Sequence, residues 1–170
     1  MARSRFRRPN LVRAVRLIFT VSMTLTAAAL IAPLANARAQ SAESAQMRIR
    51  AALEGWMAEF NAGNSRKVCG LFAPDLIADY QGQPERDYRS LCKLLQGSLS
   101  DPQRKFHYSL NIKEILVSRS LAVVRLVWTL MVFPKNGPES STIEPGIDVF
   151  RLQPDGSWKI CRFMAYGVSS

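Results

Sequence analysis

Asp79, Tyr80, Asp148 and Trp56 are the side chains in this sequence that could move or hold a proton in an apolar setting. Asp148 lies in Gly146-Ile147-Asp148-Val149-Phe150-Arg151-Leu152, where strand alternation puts it on one face with Gly146, Phe150 and Leu152. If that face lines a cavity, desolvation raises the carboxyl pKa and makes it a hydrogen-bond donor or acid. If it faces water, it pairs with a neighbour such as Arg162. Around a cavity, Trp56 and Tyr80 would form an aromatic wall with one polar tip each, and Phe60 and Phe150 would extend its apolar surface. Asp79 belongs to the extended segment Leu76–Gly82. It is a general base if it reaches a carbon acid inside the cavity, and otherwise braces the turn toward Gly82.

Other chemistry is poorly supplied. His107 is the single histidine, which removes most hydrolytic triads, and its strand parity opposes that of Phe106 and Tyr108. Cys69, Cys92 and Cys161 fit no structural zinc spacing. No motif requires a metal, a nucleotide or an organic cofactor.

The elements that must position these residues follow from periodicity. Ile49, Leu53, Trp56, Met57 and Phe60 form a helical stripe between Ser44 and Ala62, with Gly63 placed as a left-handed cap. Ser65 is expected to cap a short second helix carrying Val68, Leu71 and Phe72 and ended by Pro74. A third helix is expected from Glu85 to Leu99. Beyond Asp101-Pro102 the period changes, and Phe106–Val117, Leu121–Phe133, Ile143–Leu152 and Trp158–Val168 read as long strands joined by short turns. The expected fold is α+β: three N-terminal helices packed on a curved antiparallel β-sheet, with a cone-shaped cavity between the layers.

Compartment is read from residues 1–39. They hold seven arginines and no acid, an uncharged apolar run from Leu17 to Leu34, and the small-x-small sites Ala35-Asn36-Ala37 and Ala37-Arg38-Ala39. That order reads as a secretory signal peptide cleaved near Ala39, leaving a domain over 40–170 in the periplasm or outside the cell. An uncleaved anchor is the rival reading. With cleavage, membrane contact is confined to the signal segment during export. Removing those seven arginines from the 23 basic residues leaves 16 against 13 acidic ones. The high pI therefore belongs largely to the leader, and a nucleic-acid partner loses its support.

The chain also resembles a known family. Trp56-Met57-Ala58-Glu59-Phe60-Asn61-Ala62-Gly63-Asn64, then Leu71-Phe72-Ala73-Pro74-Asp75, the turn glycine Gly82, Ile147-Asp148-Val149-Phe150-Arg151-Leu152 and Trp158-Lys159-Ile160-Cys161-Arg162-Phe163 follow one another as in the nuclear transport factor 2-like superfamily. The nearest resemblance is to an exported member of its SnoaL-like and ketosteroid isomerase-like (DUF4440-type) domains. The resemblance implies the cone-shaped fold. In the steroid isomerases a carboxylate base follows the second helix, and a helix-one tyrosine and a strand aspartic acid donate to the dienolate oxygen. Here Asp148 falls on that aspartate and Trp56 on the tyrosine. Tyr80 falls on the base position, with Asp79 one residue early, so the proton-transfer set is incomplete. In the expected fold the second and third helices are neighbours, which makes Cys69–Cys92 the leading disulfide pair and leaves Cys161 as core or a reactive thiol.

Three functions stay open. The first is an exported protein that binds an apolar small molecule in its cavity, without catalysis. The second is a divergent isomerase or dehydratase in which Asp79 or Asp148 moves a proton, with Tyr80 or Trp56 assisting the oxyanion. The third is an interaction domain, such as a homodimer, acting through its sheet face.

Overall fold

The computed structural model describes residues 40–169, and the leader expected over 1–39 lies outside the described residues. Helix α1 (40–61) buries Ala45, Ile49, Leu53 and Phe60 at the expected spacing, with Trp56 half-buried on the same stripe. Gly63 ends it in the left-handed conformation at φ 73°, which a glycine adopts without strain.

The helix expected from Ser65 to Phe72 does not form. Residues 65–71 are successive turns, closed by bonds such as Lys67 N–H to Asn64 O (3.0 Å) and Gly70 N–H to Lys67 O (2.9 Å). The α+β fold therefore has two helices among the described residues, not three. Extending a helix here would require Val68 O to accept the Phe72 N–H. The Phe72 N–H instead goes to Cys69 O at 3.2 Å, Val68 O accepts the Trp56 indole N–H at 2.7 Å, and Phe72 already begins strand β1 (Phe72–Tyr80). Pro74 thus sits inside a strand rather than stopping a helix. The pairing of β1 shifts register between Phe72 and Ile77, where the missing proline N–H costs no ladder bond.

Strand β2 (Arg86–Asp87) folds back on β1, with Ala78 opposite Arg86. It takes the first residues of the segment expected to be helical, so helix α2 starts at Tyr88 and runs to Leu99. Asp87 caps it: its carboxylate accepts the Ser90 N–H at 2.8 Å, and the Ser90 hydroxyl accepts the Asp87 N–H at 3.0 Å.

The expected long strands form as β3 (Arg104–Ser118), β4 (Leu121–Pro134), β5 (Ser140–Leu152) and β6 (Trp158–Ala165), followed by a short β7 (Val168–Ser169). The sheet order is β2-β1-β6-β5-β4-β3, with β7 pairing to β5. All neighbours are antiparallel except β1 and β6, which run parallel. Irregularities between Ile112 and Glu114 in β3, and at Cys161 in β6, bend the sheet. Its inner face places Ala122, Val124, Leu126, Phe150 and Ile160 in one core with Ile49 and Leu53 of α1. The outer face leaves Leu116, Val123, Ile147 and Met164 exposed.

Cys69 and Cys92 form a disulfide across a Cα–Cα distance of 5.5 Å, inside a second cluster with Phe60 and Val68. Cys161 is free and buried. The bridge closes a 23-residue separation, so the chain-entropy model assigns it about 3 kcal/mol. Replacing both cysteines with serine should lower the unfolding free energy by at least that amount, measured by urea denaturation. Reducing agent should destabilise the native protein and leave the double variant unchanged.

A candidate ligand site between the second helix and the sheet

The inner sheet face does not pack against α2 along its whole length. Between them lies a cavity of about 360 Å³, within the range of small-molecule sites. Trp56 of α1 and Leu91, Leu94 and Leu95 of α2 line it from the helices. Ala78 and Tyr80 of β1, Tyr108 of β3, Leu126 and Trp128 of β4, Glu144, Gly146 and Asp148 of β5, and Ile160, Phe163 and Ala165 of β6 line it from the sheet. Gln83 and Arg86, from the turn after β1 and from β2, line its exposed part.

The walls are aromatic for a structural reason. Trp56 meets Trp128 edge-on at 5.3 Å between ring centroids and Tyr108 at 5.8 Å, while Tyr108 meets Trp128 edge-on at 5.4 Å. Asn61, in the last turn of α1, fixes Tyr108 from behind. Its side-chain amide donates to Tyr108 O at 2.8 Å and its carbonyl accepts the Tyr108 N–H at 2.7 Å. The asparagine thereby replaces a neighbouring strand for that residue.

Two acids face this cavity from β5, four residues apart on the same face. Asp148 is 6% exposed, and among the described residues neither a hydrogen bond nor an ion pair reaches its carboxyl. Burial alone pushes its pKa from the ordinary 3.8 up to about 7. Arg162, the partner expected had Asp148 faced water, instead donates to Asp75 O at 2.9 Å.

Glu144 is 9% exposed and better supported. The Tyr80 hydroxyl donates to its Oε1 at 3.2 Å and the Tyr108 hydroxyl to its Oε2 at 3.1 Å. Burial raises the Glu144 pKa, and the two hydroxyls offset part of that rise. Burial first, and then the carboxylate, push the Tyr80 hydroxyl up to about 12 and raise that of Tyr108 as well.

Of the candidate residues, Trp56, Tyr80 and Asp148 converge on one cavity. Phe60 does not line it: it is buried beside Val68 and the disulfide. Phe150 does not line it either, being fully buried in the main core, where β5 passes under α1. Asp79 is on the opposite side of β1 from Ala78 and Tyr80, as strand alternation requires, and does not line the cavity. The two expected oxyanion donors are also engaged, Trp56 with Val68 O and Tyr80 with Glu144. Glu144 and Tyr108 are not among the residues expected from sequence. Glu144 shares its parity with Asp148 and Tyr108 shares its own with Phe106, and those alternations are the signals that point to them.

The raised Asp148 pKa fixes the sign of a pH effect. Between the unfolded carboxylate range near pH 4 and the folded value near 7, the native state binds more protons than the unfolded state. The contribution of this group to stability therefore falls as pH rises through that window and is constant above it, by about 4 kcal/mol at most. Asp148→Asn should melt close to the native protein at pH 4.5 and several degrees above it at pH 7.5, in thermal unfolding followed across that range. Asn61→Ala removes two hydrogen bonds and should cost about 2 kcal/mol.

With this geometry, the relatives fall into place. A model of the SnoaL-like domain matches residues 53–162. A search among curated proteins finds no match. Among solved structures, a conserved protein from Planctomyces limnophilus superposes with a TM-score of 0.70 at 16% identity, covering 75% of this chain and 99% of its own. A ketosteroid isomerase-like protein from Erwinia carotovora atroseptica gives 0.62 at 20%, covering 73% and 96%. A nuclear transport factor 2-like superfamily protein from Salmonella enterica gives 0.63 at 16%, covering 75% and 94%. These likenesses establish the cone-shaped fold with its curved sheet. The chain belongs to the SnoaL-like domain family.

Proposed function

We propose that this domain is an exported binding protein that takes up one small, largely apolar molecule between α2 and the sheet. The observation that carries the reading is the cavity of about 360 Å³ walled by Trp56, Tyr108, Trp128, Phe163 and leucines, with its acids confined to one strand. Apolar walls supply affinity by removing ligand surface from water, and a few polar groups fix orientation. The Cys69–Cys92 disulfide supports the exported part of the reading, since such bridges persist in oxidising compartments. No step of bond making is assigned to the site.

A second reading, a divergent isomerase or dehydratase, is favoured by one feature: a carboxyl titrating near pH 7 can both take and give a proton at neutral pH. It needs a partner base or oxyanion donor. Asp79 stands outside the cavity, while Trp56 and Tyr80 have committed their hydrogens elsewhere. Binding is therefore the better-supported conclusion. The homodimer expected through the sheet would bury Leu116, Val123, Ile147 and Met164 of the outer face, a surface independent of the cavity.

The neutral fluorophore N-phenyl-1-naphthylamine tests the binding reading. Its emission should rise saturably with a stoichiometry of one, and quenching of Trp56 and Trp128 should follow the same curve. Ala78→Phe, which fills the cavity from β1, should abolish both signals while the chain still melts cooperatively. Absence of saturable binding to the native chain would sink the proposal.

A further inference from the structure

Glu144 and Asp148 lie on one face of β5, each more than nine-tenths buried, and neither takes part in an ion pair among the described residues. Four strand residues separate them by about 13 Å. A buried carboxylate without a counter-charge is costly, and the cost is met by a hydrogen-bonded cation or by protonation. At Glu144 two tyrosine hydroxyls satisfy one lone pair on each oxygen, and each oxygen keeps capacity for a further donor. At Asp148 the carboxyl points into the same cavity with no protein partner.

The surroundings of Glu144 select the donor further. Trp128 is its cross-strand neighbour on β4, and Tyr108 lies against both Glu144 and Trp128. The negative faces of such rings attract an ammonium, and the attraction grows when the site is desolvated. Arg86, a cation that also lines the cavity, is half-exposed on β2, where solvent screens it from the acids within.

Resting on the cavity-binding reading above, we infer that the ligand is an apolar amine. Its ammonium is held by the Glu144 carboxylate against Tyr108 and Trp128, and its hydrocarbon part lies along Leu126 and Leu95 toward Asp148. The tyrosines act as positioning residues, presenting the carboxylate oxygens to the incoming N–H groups. An anionic molecule of the same shape would meet two acids and be rejected.

Isothermal titration calorimetry of the full chain at pH 7.5 with octylamine, 1-octanol and octanoate decides the point. The amine should bind at least tenfold more tightly than the alcohol, and octanoate more weakly than either. Glu144→Gln keeps the size of the side chain and removes its charge, and should bring the affinity ratio of amine to alcohol close to one. Equal or tighter binding of 1-octanol or octanoate to the native chain would overturn the amine assignment alone. Retention of the full amine preference in a folded Glu144→Gln variant would overturn it as well. Failure of all three probes to bind would overturn the cavity reading together with it. If the variant does not fold, the headgroup series on the native chain is by itself decisive.

Discussion

A strand sends alternate side chains to opposite faces, and along β5 that rule leaves no freedom about what the inner face must contain. Glu144, Gly146, Asp148 and Phe150 all point the same way, because Phe150 must enter the core beneath α1. Burying one large aromatic side chain therefore commits two acids to the interior. Gly146 sits between them with no side chain to fill the space, and a Cβ there would come within 2.9 Å of Met164 O on β6. The cavity and its two carboxyls follow from the same register that holds the core.

The remaining elements act around that commitment. The α1 stripe supplies the cover for Phe150 and ends at Trp56 and Phe60, where the indole N–H goes to Val68 O. The chain then passes through turns into β1, tied to β6 by the Ile160 N–H to Leu71 O bond at 2.9 Å, and β1 presents Tyr80 to Glu144. Asn61 and the disulfide then fix the two flanks, the one through Tyr108 and the other through α2. The acids at the centre are accommodated differently: one by hydroxyl donors, one by a shift in its own proton affinity.

Much of this is legible in the residues. The period of three and four along Ile49, Leu53, Trp56 and Phe60, the four alternating strands, and the inward parity of Asp148 all have local causes. What escapes a reading of the sequence is set by distant partners. The segment 65–71 has helical apolar spacing, yet it closes as turns, with Leu71 O accepting the Ile160 N–H of β6 at 2.9 Å. Phe60 and Phe150 are apolar residues beside a cavity in sequence terms, and only packing decides that they belong to solid core. Glu144 stands between Ile143 and Pro145 after the polar Ser140-Ser141-Thr142, so only its shared parity with Asp148 marks it as interior. Its tyrosine partners come from 36 and 64 positions away.

The parallel pairing of β1 with β6 bears on how the chain reaches this state. Phe72 lies opposite Ile160 and Tyr80 opposite Ala165, so the earliest long strand is completed by one of the last. The antiparallel β3–β4–β5 meander can zip up through short turns as it emerges, whereas β1 has only the two-residue β2 beside it until β6 arrives. Closing so long a loop is slow and exposes an open strand edge in the interim. The cavity needs Ile160, Phe163 and Ala165 of β6 beside Ala78 and Tyr80 of β1, so a nascent chain has no complete pocket until nearly all of its strands have been synthesised.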